Sequence, residues 1–373
     1  MNIYLYSVYK SLISRFNKFT ILSNFSIFFS TFLCLLLLIV TLNVSDGFKN
    51  NIIKKIKELD GSYHVYTYDN THLDTLKMYN NSLNYTFDFY PYMQTYSILR
   101  FGGKSEGVTI ISLHHKDKFK KFIINTYTDD SGIYVGEKLA DKLKIKNNMI
   151  TAIFIDDNKN KYLKNLKVKG VYKTNIPSYD EHVVFSDYNI DENLEIFNTE
   201  NINEFIVFTD ISDDDLFASH SQYYVENWQT RNYDFFNWLN SYDIPIKILL
   251  TFLVLVLFIN NVSMFNLDFV NKYEEIVFYK SIGLNSKSTF IIFMFKFIFL
   301  TLFGTALALF VAFLLSYLQA NYNLISIAPG IYFSKYLPID NNINNYIYTS
   351  LSILLLNMTI PLLFKKQFYS INK

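Results

Sequence analysis

Four stretches of this chain are apolar with little polar alternation, and each is long enough to cross a bilayer, which takes about 20 mostly apolar residues. The first, Phe25 to Val44, lies in a segment with no charge between Lys18 and Asp46. The second runs from Ile246 to Val270 and the third from Thr289 to Leu318. The fourth, Tyr346 to Leu363, is shorter and carries Asn357 and Pro361. After the first span, "SDGFKNNIIKKIKEL" puts Phe48, Ile52, Ile53, Ile56 and Leu59 at helical spacing, which predicts a helical stalk leaving the bilayer. The pattern then changes to short strands: "GSYHVYTYD" alternates, "GVTIISL" and "MITAIFID" are short apolar runs, and "LKVKGVY" and "HVVFSD" follow. Among them "YVGEKLADKLKI" places Leu139, Leu143 and Ile145 on one face of a short helix. The expected fold class is a membrane protein of four transmembrane α-helices, with a large α+β extracytoplasmic (periplasmic) domain between the first and second spans. The expected division is a cytoplasmic segment 1–21, spans at 22–44, 246–270, 289–318 and 346–364, and a periplasmic domain with helical stalks at 45–245. A cytoplasmic helix at 271–288, a periplasmic loop at 319–345 and a cytoplasmic tail at 365–373 complete it.

Charge sets the orientation. The leader holds Lys10, Arg15 and Lys18, the 271–288 island holds Lys272, Lys280 and Lys287, and the tail holds Lys365, Lys366 and Lys373. With four spans all three segments share one side, and the Lys/Arg excess makes it the cytoplasm. The first span is read as a retained anchor, because its apolar core is too long for a signal peptide and "NVSDGFKNN" offers no small-residue cleavage site. Lys247 sits at the outer edge of the second span. Asp268 and Lys296 fall within the spans near the inner face, where an ionisable residue is a functional hypothesis and where snorkelling or mutual pairing is the expected account.

Composition narrows the function. The formal net charge of +1 gives no basic footprint for nucleic acid. The basic residues are almost all Lys, with Arg15, Arg100 and Arg231 the only arginines, and Asn, Ile, Tyr and Phe are abundant, as an AT-rich genome would produce. The single cysteine, Cys34, lies in an apolar run and reads as a small buried residue. Asp213, Asp214 and Asp215 lack the alternating ligands and glycine of a calcium loop and read as acids at a helix N-terminus. His64, His72, His114, His115, His182 and His220 show no metal-ligand spacing. "FGGKSEG" imitates the end of a phosphate loop, but Ile98 stands where that loop needs glycine, so a turn between two strands is expected and no nucleotide-binding site.

The island "YEEIVFYKSIGLNSKSTF" between the second and third spans reads as a short helix containing Ile276, Tyr279 and Lys280 and ended by Gly283, with Asn285 or Ser286 capping the next helix. It offers Val277, Phe278 and Ile282 as apolar contacts and Glu274, Glu275 and Lys280 as polar ones. Spacing alone leaves two readings open: a rigid coupling element across the inner mouth, or a solvated helical hairpin.

With one span, a large outer domain, three further spans and this island, the chain resembles the permeases of MacB/FtsX-type ABC transporters. Their corresponding loop reads like "R..EIG.L.A.G"; Glu275-Ile276, Lys280 and Ile282-Gly283 match it, while Tyr273 replaces the usual basic residue. Within that superfamily it is similar to the lipoprotein-releasing LolC/LolE group. "VSDGFKNNIIKKIKELDGSYHV", "GIYVGEKLADKLKIKNN", "VKGVYKTNIPSYDEHVVFSD", "NWQTRNYDFFNWL" and "ISIAPGIYFSKYLPI" resemble segments of that group in the same order. The tail "IPLLFKKQFYSINK" departs from its usual ending, and "KTNIPSYD" lacks the glycine often found there.

The resemblance implies a permease subunit that is not itself an enzyme and binds no cofactor, with ATP and Mg held by a partner. The implied partners are an ATPase subunit dimer, a second permease subunit, a periplasmic lipoprotein carrier and lipoprotein substrates, at the bacterial inner membrane. The implied ATPase-coupling residues are Glu274, Glu275, Ile276, Tyr279, Lys280, Ile282 and Gly283. A carrier-contact hairpin would comprise Lys173, Thr174, Asn175, Ile176, Pro177, Ser178, Tyr179 and Asp180. An acyl-binding cleft is placed at Leu38, Val40, Val44, Phe48, Ile246, Ile248 and Leu249. The competing readings are a MacB-type efflux or mechanotransmission permease, a cell-division FtsX role, whose outer domain is usually smaller, and a membrane sensor or scaffold.

Overall fold

The computed structural model describes residues 18–67, 89–113, 116–145, 149–155, 161–187, 204–209, 223–327 and 334–370. They form two compact units. The expectations for His72, His114, His115, His220 and Asp213 to Asp215 lie outside the described residues.

Helix α1, Lys18–Asp60, is continuous from the first span through the predicted stalk and contributes its last residues, from Asn50, to the interspan unit. That unit holds two sheets. The smaller is antiparallel, in the order β11 (Tyr223–Asn227), β1 (Tyr63–Thr67), β10 (Glu204–Val207), β2 (Phe89–Pro91). The larger contains β3 (Gln94–Phe101), β4 (Lys104–Ser112), β5 (Ile123–Thr126), β6 (Ile133–Gly136), β7 (Met149–Ile155), β8 (Lys161–Tyr172) and β9 (Val183–Ser186), in the order β5-β8-β6-β9-β4-β3-β7. β7 also pairs with β8, so the strands from β8 round to β7 close into a ring.

Alternation decides what fills that ring. Along β3, Ser97 and Leu99 are buried while Tyr96, Ile98 and Arg100 face out. Leu99, Ile110, Ile133, Val135, Ile150, Leu166 and Val184 form the interior. Helix α2, Glu137–Leu143, adds Leu139, Ala140 and Leu143 to it. A second cluster stacks Phe119, Tyr134, Tyr172 and Phe185, with Phe119 and Phe185 ring centroids 4.8 Å apart. Helix α3, Pro177–His182, follows β8. "FGGKSEG" is the β3–β4 turn: Gly102 and Gly103 both have positive φ, as a tight two-residue hairpin turn requires.

In the membrane unit, α4 (Tyr233–Ser241) leads into α5 (Asp243–Asn271), followed by α6 (Tyr273–Ser281), α7 (Ser286–Tyr322) and α8 (Ile343–Ser370). Among the described residues, four helical segments are long and apolar enough to cross a membrane: Phe19–Asp60, Tyr233–Asn271, Ser286–Tyr322 and Ile343–Tyr369. Their cores differ along the bundle. Towards the α6 end, Phe265, Phe269, Phe290, Phe293, Phe297, Phe364 and Phe368 pack with Ile27, Ile276 and Ile360. Towards the other end the core is Leu35, Leu38, Ile39, Leu250, Leu257, Ala308, Ala312 and Ile353. There α7 presents Gly304, Ala308, Ala312 and Ser316, one per turn and all buried. A Cβ at Gly304 would stand 2.9 Å from the Phe28 carbonyl oxygen, so glycine is what lets α1 and α7 approach.

Polar ties cross the bundle at several levels. Ser30 donates to Asn261 Oδ1 at 2.9 Å, and Asn261 Nδ2 donates to Asn357 Oδ1 at 2.9 Å, joining α1, α5 and α8. Beyond the aliphatic core, Asn345 Nδ2 donates to Asn43 Oδ1 at 3.1 Å and Asp46 Oδ2 at 2.7 Å, and Lys49 pairs with Asp243 at 2.5 Å.

Candidate functional site

The chain turns from α5 into α6 with almost no loop. The Lys272 amide donates to the Asp268 carbonyl at 3.1 Å, and the Lys272 carbonyl accepts from the Ile276 amide at 3.0 Å, so the backbone ladder passes through the bend. Glu274 and Glu275 occupy the first turn of α6, where the helix dipole favours acids, and Lys280 occupies the last. The helix ends in a paired carbonyl closure: the Gly283 amide donates to Lys280 O at 2.9 Å and the Leu284 amide to Tyr279 O at 3.1 Å. Gly283 has φ +96°, the conformation this closure needs and L side chains resist. Helix α7 starts three residues later, at Ser286. Asn285 stands at its N-cap, but by backbone alone: its carbonyl accepts from the Ser288 and Thr289 amides, and its side chain makes no cap bond, contrary to the side-chain cap expected.

Helix α6 has two faces. Tyr273, Glu274, Val277, Phe278, Ser281 and Ile282 are exposed, recurring every three to four residues as one stripe. Val277 is 44% exposed, Phe278 61% and Ile282 63%. The opposite face is locked in. Ile276 is 0% exposed and packs among Phe265, Phe269, Phe290 and Phe368. Lys272 is buried, with Nζ 3.5 Å from Glu275 Oε2. Lys280 Nζ donates to the Phe368 carbonyl of α8 at 3.1 Å, and desolvation holds its pKa below the usual lysine value. Burial, and then the Glu275 charge, push the Tyr279 phenol up. The expected coupling residues therefore divide: Glu274 and Ile282 face out, Glu275, Tyr279 and Lys280 are half-buried, and Gly283 forms the stop. Ile276 is corrected from a contact residue to an anchor, because its side chain is enclosed by the chain's own aromatic core.

The acyl-cleft residues divide between the bundle core and its surface. Leu38 is buried among Leu35, Ile39, Ala308 and Ala312, and Val40 and Ile246 pack against that same cluster. Val44 and Phe48 are half-buried, whereas Ile248 and Leu249 lie on the exposed side of α5. Ile248 joins Ile244, Lys247, Thr251, Phe252 and Leu255 along a shallow groove of about 310 Å³.

The segment 173–180 is a pinned turn and not a projecting hairpin. Asp180 Oδ1 accepts from the Thr174 amide and hydroxyl, both at 2.8 Å, and Oδ2 accepts from the Asn175 amide at 2.9 Å. Burial raises the Asp180 pKa, and these donors oppose the rise. Thr174, Ile176 and Asp180 are buried, Lys173 pairs with Glu137, and Pro177 and Tyr179 are half-buried. Only Ser178 of the eight is exposed. Asn175 takes φ +63°, which explains how the turn forms without glycine, since Asn tolerates the left-handed region best after it. The more open apolar surface of this unit is one that sequence reasoning missed. Leu163, Ile153 and Ile98 pair across β8, β7 and β3, and Ile98 faces Gly107 on β4. Tyr96, Ile98, Gly107, Thr109, Ile153 and His182 line a groove of about 360 Å³ there. The signal was the outward apolar positions of "YSI", legible only once β3 has neighbours on both sides.

Residues 247–373 match the family described as FtsX-like permease C-terminal. That part of the chain is similar to FtsX-like permeases. The periplasmic region of MacB from Actinobacillus actinomycetemcomitans is one structural match, at 11% identity over 47% of this chain and 92% of that one. Its TM-score is 0.29, too low to carry weight for the fold. A comparison with curated proteins found no match.

Proposed function

We propose that this chain is the permease subunit of an ABC transporter that extracts lipoproteins from the inner membrane and passes them to a periplasmic carrier. A separate ATPase docked on α6 drives it. One observation carries the reading: α6 exposes Tyr273, Val277, Phe278 and Ile282 while its other face is fastened to α5, α7 and α8. A solvated hairpin gains nothing from an exposed apolar stripe, whereas a docking helix needs one side for the partner and one for the spans. Lifting acyl chains out of a bilayer costs about 0.8 kcal/mol per CH₂, which accounts for an ATP-driven partner. The acyl-binding surface is now better placed on the exposed Ile248 side of α5 than at Leu38, which the bundle already occupies.

The test is co-purification of full-length chain with an ATPase, for the native protein and for Phe278→Asp/Ile282→Asp. The double variant is expected to insert normally and lose the ATPase; retention of the ATPase would remove α6 as the docking element. Lipoprotein retention in the inner membrane after depletion of the chain tests the substrate. Normal lipoprotein sorting with the ATPase still bound would favour efflux or mechanotransmission, and the absence of any ATPase would favour a sensor or scaffold.

A further inference from the structure

Within the spans, Lys296 of α7 and Asp268 of α5 form a closed two-oxygen contact: Lys296 Nζ lies 2.8 Å from Oδ1 and 2.7 Å from Oδ2. Their side chains are 3% and 6% exposed, so neither reaches water and neither snorkels. Phe265 and Phe269 on α5 and Phe293 and Phe297 on α7 are buried around them in sequence. Two features make the pair more than a helix fastener. Asp268 also supplies, through its carbonyl, the backbone bond that starts the bend into α6. Lys296 lies on α7, which begins at Ser286, three residues after the Gly283 of the α6 closure. The pair thus ties together the two helices that enter and leave α6, about two turns into the membrane from it.

We propose that Asp268 and Lys296 are a positioning pair for energy coupling. They hold the inner ends of α5 and α7 at fixed spacing, so that a displacement of α6 moves both spans as one body and is not absorbed at the Lys272 bend. This rests on the reading of α6 as the ATPase-docking helix. The physical ground is that a charge–charge contact sealed from water cannot slide or open by small steps, because separation leaves two uncompensated charges in a low-dielectric site. An aliphatic contact at the same place would hold the helices but let them shift. The groups facing the pair from adjoining turns are Lys272 and Glu275, which balance each other in charge.

The experiment uses the full-length chain with its co-purifying ATPase in nanodiscs, in a Cys34→Ser background. Spin labels replace Ile244 and Tyr317, exposed residues at the far ends of α5 and α7. The inter-label distance is measured with and without Mg-ATP and vanadate. The doubly neutral Asp268→Asn/Lys296→Gln variant leaves no lone buried charge and is the informative one. It is expected to keep the ATPase bound and hydrolysing, while the nucleotide-dependent distance change falls by about fivefold or more. The exchanged Asp268→Lys/Lys296→Asp variant, which restores a pair, is expected to recover it. A purely structural role would lower thermal stability without separating ATP hydrolysis from the distance change. An undiminished distance change in the doubly neutral variant overturns the proposal. If no ATPase binds the native chain, the docking reading itself fails, and the coupling role of the pair falls with it.

Discussion

The two halves of the membrane bundle are built from different materials. Next to α6, the core is aromatic and edge-to-face: Phe265 on Phe297 at 5.3 Å, Phe269 on Phe368 at 4.6 Å and Phe290 on Phe368 at 5.5 Å. The far half is aliphatic, with the small residues of α7 against α1 and polar side chains at its rim. Lipid is as apolar as leucine, so helices in a membrane are held by packing and hydrogen bonds rather than by escape from water. Interlocked rings with a buried ion pair resist relative motion from every direction. A smooth stripe of Gly304, Ala308 and Ala312 brings backbones close yet presents few obstacles to sliding. The half beside α6 is thus interlocked, while the far half packs through smaller and smoother side chains.

The contrast can be broken most severely at Ile276. Ile276→Asp places a carboxylate among phenylalanines with no partner, and a loss of several kcal/mol is expected, about 3–5 on the scale of an unpaired buried charge. The readout is the yield and thermal midpoint of folded chain in detergent. Asp268→Asn alone should cost a similar amount, again about 3–5 kcal/mol, by stranding Lys296, while the doubly neutral variant recovers most of it. In the far half, Gly304→Val overfills the α1–α7 contact and should cost about 1–3 kcal/mol, measured the same way. Asn261→Leu removes the interhelical hydrogen bonds with Ser30 and Asn357 and, at about 0.6 kcal/mol for each, should cost about 1 kcal/mol. Smallest of all, Phe278→Asp should change stability by under about 0.5 kcal/mol while abolishing ATPase co-purification. A large stability loss there would mean that the exposed stripe of α6 packs on the chain itself.

Much of this architecture is legible in the residue pattern, for reasons that can be named. Span-capable helices announce themselves because the bilayer demands a minimum apolar length. Gly283 reads as a helix stop because few residues other than glycine take its backbone conformation readily. The closing of β7 onto β8 was not legible, since strand neighbours are chosen by contacts far apart in sequence. Nor was the division of α6 into faces: Ile276, Val277, Phe278 and Ile282 are all apolar, and only neighbours from α5, α7 and α8 decide that the first turns inward. The 173–180 segment shows the same limit. "KTNIPSYD" suggests an open hairpin, but the Asp180 carboxylate reaches back to two amides and a hydroxyl and folds it shut.

The sequence by itself determined four helices long and apolar enough to cross a membrane, the β-rich domain inserted after the first and a short helix between the second and third. These follow from local quantities: apolar length, period and glycine. Tertiary structure alone decided which side of that helix is exposed, that Asp268 meets Lys296, and that one half of the bundle packs aromatic rings while the other packs aliphatic and small side chains. Those are pairings between residues tens of positions apart, and a burial cost or a buried charge has no value until its neighbour is in place.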